Sequence, residues 1–257
     1  MGNYYFLAAS LPPLALGEKP DLTFEELKER LRINLSPNDY AKTEVLRRFI
    51  DLQNIRSLLL EESIDLKGNL NEKELDEALL IRNLLPTYVF DFLDQYDSSS
   101  LRIKNFHGLL ALFFNEETPK QAGFLKCYLT FEREWRLVMM ALRAKELGRD
   151  IVQELQFEDF SDPLVAQILA QKDAPHYDPP EEYHDLKEKL ASCDHDPWFK
   201  QKVFAEYRFH KIDDLTDAPL FSIDWILAYL AKWMIVEYWN GLDELKGRMI
   251  LDTFRAL

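Results

Sequence analysis

The stretch FEREWRLVMMALRAKELGRDI, Phe131 to Ile151, decides the fold class. It is helical by composition, with Glu132, Glu134 and Arg136 in its first half and Arg143, Lys145 and Arg149 in its second. Two other places echo it: DLQNIRSLLLEE from Asp51 and VEYWNGLDELKG from Val236. A charged, aliphatic helix built three times points to a repeated structural unit. In such a unit, charge fixes which helices meet and the aliphatic faces supply cohesion.

The rest of the 257-residue chain supports a helical reading. Only 8 residues are Gly, although tight hairpins and close backbone approaches to phosphate consume glycine. Capping signals recur. Thr23 to Glu26 reads as a capping box, and Asn71 precedes the helical run EKELDEALLIRNL. Ser36-Pro37, Thr118-Pro119 and Asp196-Pro197 each place a capping residue before a proline suited to the first helical turn.

The expected helices are 24–33, 37–62, 72–84, 86–95, 105–114, 119–148, 162–171, 180–192, 197–210 and 222–255. SIDLKGN, DQYDSSS, QKDAPHYDPP and SCDHDP read as loops, and QKDAPHYDPP is the best boundary candidate because prolines break its periodicity. NYYFLAASL reads as a short extended segment. In the last helix Ile223, Ile226, Leu230 and Trp233 form an inward stripe that Glu237 interrupts. The expected architecture is all-α: one domain of three pseudo-repeats, approximately 1–85, 86–172 and 173–257.

Charge and spacing narrow the chemistry. The 31 basic and 45 acidic residues give a net −14, which repels nucleic acid and anionic lipid. Two cysteines suit a reduced, cytosolic setting. The apolar opening has no basic leader residues, and runs such as WILAYLA fall far short of the ~20 residues a spanning helix needs. No direct membrane insertion is expected. No two glycines lie closer than Gly241 and Gly247, which excludes both the dinucleotide fingerprint and the P-loop. His176 and His184, the closest histidines, are too far apart for H-E-x-x-H. Glu181 and His184 form one Glu-x-x-His where a di-iron bundle needs two. CDHD at Cys193–Asp196 offers possible ligands, but they crowd one loop. His210 reads as a helix histidine.

The three helices resemble the C/d family of coupler proteins from V- and A-type rotary ATPases. That family's pseudo-repeats carry an acid, then Asn-apolar-Arg, then an aliphatic stretch ending in a base and Gly. Asp51, Asn54 and Arg56 fit the first repeat. The second has Glu134-Trp135-Arg136 where the family has Asn-apolar-Arg, and the third, with Glu237 and Lys246-Gly247, lacks the Arg. YYFLAASLPPL, RAKELGRD and LAQKDAP resemble more closely a small bacterial family of uncharacterised proteins associated with V-type ATP synthases.

The resemblance implies a funnel-like helical fold, no catalysis, no cofactor and no metal. It implies a cytoplasmic protein peripheral to the membrane, docked between the rotor ring and the central stalk. The residues it marks as structural or interacting are Asp51, Asn54, Arg56, Glu132, Glu134, Arg136, Arg143, Lys145, Glu237 and Lys246. The alternatives are a metal-dependent helical enzyme using Glu181, His184 and His210, and an unrelated helical scaffold.

Overall fold

Local capping chemistry sets most of the helix starts. In the computed structural model, which describes residues 4–193 and 196–242, Thr23 accepts from the Glu26 amide and Glu26 answers the Thr23 amide. This starts α2, Phe24–Asn34. Asn71 and Glu74 form the same reciprocal pair at the start of α4, Glu72–Ile81. α3, Pro37–Leu59, begins at its expected proline, and Asp196 caps α12, Pro197–Leu215. All described regular structure is helical: thirteen α-helices, two 3-10 turns and no strand among the described residues.

The differences from expectation lie mostly in short or terminal elements. Tyr5–Ala9 is a helical turn, α1, not an extended segment. Thr118–Lys120 forms a 3-10 turn after α7, Phe106–Glu117, so α8 starts later than expected, as Gly123–Glu146. α5, Thr87–Gln95, is followed by α6, Ser99–Lys104, where a loop was expected. α9, Ile151–Glu154, is a single turn capped by Asp150. α10 is Pro163–Ala170, and α11 is His184–Ala191, shorter than expected because Glu181–Tyr183 is a 3-10 turn. α12 runs on to Leu215, and α13 is Ile223–Asn240; the part of the expected 222–255 helix beyond residue 242 lies outside the described residues.

α8 ends by a specific device. Gly148 adopts φ +63°, Arg149 N–H donates to Ala144 O at 2.8 Å and Gly148 N–H to Lys145 O at 3.3 Å. This Schellman closure explains why a glycine follows the basic end of the helix. α3 closes the same way: Glu62 N–H reaches Ser57 O at 2.9 Å and Glu61 N–H reaches Leu58 O at 3.1 Å. There the left-handed position, φ +57°, is held by Glu61 instead of glycine.

The helices group into two compact units. One is Pro37–Pro180; the other joins the two ends of the chain, up to Ser36 and from Glu181 onward. The boundary candidate QKDAPHYDPP ends at Pro180. In the central unit α7 packs on α3, α5 and α8 around fully buried Phe92, Phe113, Leu109 and Leu125. Each such side chain contributes roughly 2 kcal/mol by leaving water.

In the unit of the two ends α12 packs on α13, which is buried nearly all round, not along a single stripe. Trp233 there is 1% exposed and lies 5.4 Å from the Phe24 ring. Tyr229 hydroxyl donates to Pro12 O at 2.9 Å and Asn240 Nδ2 to Glu18 O at 2.7 Å, tying the N-terminal segment along α13. No helix among the described residues is long and apolar enough to cross a membrane.

Candidate functional site

α3 places Arg47, Asp51 and Asn54 on one face, since residues three and four apart share a side of a helix. All three are buried, at 3%, 2% and 1% exposure. They grip the loop that follows. Asn54 exchanges two hydrogen bonds with the Asp65 backbone, at 2.9 and 2.8 Å. Asp51 Oδ1 accepts from the amides of Asn69 at 2.6 Å and Leu70 at 3.2 Å, and its Oδ2 accepts from Asn69 Nδ2 at 2.7 Å. Arg47 donates to the carbonyls of Lys67 and Gly68.

A Cβ on Gly68 would stand 2.6 Å from Asp51 Oδ1 and 2.9 Å from Asn54 Nδ2, so only glycine lets the loop lie this close. Burial pushes the Asp51 carboxyl up, and the Asn69 and Leu70 donors together with Arg47 pull it part of the way back. Both carboxylate oxygens are engaged by the chain's own amides, so this motif clamps a loop.

Arg56, the last expected member of that motif, is half-buried in the final turn of α3. Arg136 lies mid-way along α8, with its guanidinium 5.2 Å above the Phe49 ring. The two arginines occupy different positions along their helices, and the positive charge of each lowers the pKa of His107, near the start of α7. Loss of hydration, Arg136 and Arg56 all lower the His107 pKa, while Glu154 opposes them.

Of the other α8 residues, Glu132 is buried and Glu134 is half-buried. Arg143 is exposed in the last turn, where a cation complements the helix dipole. Lys145 reaches across to the carbonyls of Lys172, at 2.6 Å, and Ala174, stapling the loop after α10. Glu237 is half-buried near the end of α13, and Lys246 lies outside the described residues.

Further ion pairs involve residues outside the predicted set. Arg133 bridges Glu158 at 2.8 Å and Asp162 at 2.9 Å with only 15% of its side chain exposed. Asp162 also caps α10 through the amides of Leu164 and Val165. Arg48 meets Glu117 at 3.0 Å, and the Tyr88 hydroxyl donates to the same oxygen at 3.4 Å. No local signal pairs residues 69 apart in sequence.

The residues of the enzyme alternative lie on the 3-10 turn before α11, on α11 and on α12. Glu181 sits in the 3-10 turn before α11, and His184 opens α11. His210 is exposed, with Nδ1 2.8 Å from Glu206 O on its own helix. Part of CDHD lies outside the described residues, and Cys193 Sγ donates to Lys189 O at 3.1 Å. Among the described residues, no group of three or more His, Cys, Asp or Glu side chains is arranged to hold a metal ion.

The family described as "Protein of unknown function (DUF2764)" matches residues 1–257. The chain belongs to this family. Relatives of similar length occur in Chlamydia. An uncharacterized protein of Chlamydia pneumoniae is 30% identical over 98% of this chain and 97% of its own length. Those of Chlamydia muridarum and Chlamydia trachomatis are 27% and 26% identical over the same shares. No solved structure matches.

Proposed function

We propose that this DUF2764 protein is a non-catalytic component or accessory of a V/A-type ATP synthase, with a role like that of the C/d coupler between central stalk and rotor ring. What carries the reading is the use made of Asp51 and Asn54. They are the residues that fit the repeat pattern best, and they are buried, satisfied and spent on fixing a loop to its helix. A motif spent on shape is what a torque-bearing part requires.

The acidic balance of 31 cationic against 45 anionic residues adds support, because cytoplasmic loops of membrane proteins carry excess Lys and Arg. The test is affinity capture of the tagged protein from its own cells at low and then raised salt. Rotor-ring or stalk proteins are expected in the low-salt eluate and are expected to fall away as salt screens the contact. A low-salt capture that recovers no component of the ATPase overturns the proposal.

A further inference from the structure

The end of α4 carries aliphatic side chains that the fold does not use. Leu80, Ile81 and Leu84 are 82%, 55% and 67% exposed. α4 buries Leu75 and Ala78 and turns Asp76 and Glu77 outward; Leu80 and Ile81 follow one turn later on the same rows. The exposed face is thus acidic at one end and aliphatic at the other.

The chain then bends through two left-handed residues, Arg82 at φ +57° and Leu84 at φ +59°. Each such conformation costs about 1 kcal/mol in a residue with a Cβ. Arg82 fixes the bend by a two-point pair with Asp94, at 2.8 and 2.7 Å, and by lying 5.1 Å over the Phe90 ring. The knuckle is therefore built in advance, with strain spent on holding a leucine out in water.

Its charge selects the occupant. Residues 72–95 carry Glu72, Glu74, Asp76, Glu77, Asp91 and Asp94 against Lys73 and Arg82. A second copy would bring the same acidic border, and an anionic lipid surface would be repelled. We propose that this knuckle docks an amphipathic helix of a partner protein whose apolar stripe is bordered by Lys or Arg. The inference stands independently of the ATPase reading.

The probe is a dye-labelled amphipathic peptide of leucine and lysine, titrated with the full chain and followed by fluorescence anisotropy; its leucine–glutamate counterpart is the control. The lysine peptide is expected to bind and to weaken with salt. Leu80→Gln combined with Leu84→Gly is expected to weaken it about tenfold, as loss of one to two buried aliphatic contacts implies. Leu84→Gly alone is expected to weaken binding while the melting temperature holds or rises, because glycine relieves the left-handed strain. Asp76→Asn with Glu77→Gln is expected to flatten the salt dependence.

Unchanged binding in the Leu80/Leu84 variant overturns the proposal, as does equal binding of the glutamate peptide. Two other results also overturn it. One is a dimer in sedimentation that Leu80→Gln abolishes. The other is capture on phosphatidylserine-containing vesicles that Leu80→Gln abolishes.

Discussion

Asp51 takes hold of Asn69 twice, accepting from its backbone amide at 2.6 Å and from its side-chain amide at 2.7 Å. Eighteen residues separate the two, and the contact converts an apolar–polar helix face into the anchor of a loop.

Gly68 sits inside this clamp. In Gly68→Ala the new methyl would meet Asp51 Oδ1 at 2.6 Å, so either the carboxylate or the loop must move and strand buried amides. The expected loss is about 2 kcal/mol, read as a lower urea midpoint. Unchanged stability would show that the loop has an equally good second arrangement.

The clamp also titrates. Burial raises the Asp51 pKa, so the folded protein holds this proton more tightly than the unfolded chain. That contribution is fully present below the ordinary carboxylate value of about 4 and is lost as pH rises through the raised folded value. The stability of the wild type relative to Asp51→Asn is therefore expected to decline from pH ~4 toward neutrality. Urea unfolding at stepped pH checks this; a margin that grows with pH contradicts it.

His107 titrates in the opposite sense. Desolvation and then Arg136, with Arg56 adding, depress its pKa against the pull of Glu154. The unfolded chain thus binds the proton more readily, so stability is retained above the ordinary histidine value of about 6.5 and falls as pH drops through the depressed folded value. His107→Gln is expected to flatten that acid-side slope. The His107 ring shifts in an NMR titration should move only below the ordinary value.

Arg133 holds two acids together. In Arg133→Ala, Glu158 and Asp162 lose the cation between them, at an expected cost of about 2 kcal/mol. Adding Glu158→Gln is expected to restore part of it by removing the repulsion. A double-variant cycle in thermal unfolding measures the coupling, and strict additivity would show that the pairs are only surface decoration.

Glu61 closes α3 in a conformation that glycine adopts freely. Glu61→Gly is expected to stabilise the protein by about 0.5–1 kcal/mol, whereas Gly148→Ala, at the matching position after α8, is expected to cost about 1 kcal/mol. Melting temperatures of the two variants should move in opposite directions.

The helical class and most long helices were legible because their signals are local. Thr23 and Glu26, or Asn71 and Glu74, interact three residues apart and need nothing else to start a helix. The single-turn α9 and the serine-rich α6 were not legible, because so few residues gain helical hydrogen bonds only with tertiary support. Arg102 supplies such support, tying α6 to the carbonyls of Leu93 and Tyr96.

Sequence by itself determined the all-α class and most of the capped helix starts, since these rest on spacing along one helix. Only the tertiary structure decided that Arg133 bridges both Glu158 and Asp162. It also decided that Arg56 and Arg136 both lower the His107 pKa, and that the segment up to Ser36 and the chain from Glu181 form one compact unit. A side chain's periodicity fixes which way it points, but the charge or carbonyl waiting there comes from a distant segment, brought in by packing that no local pattern encodes.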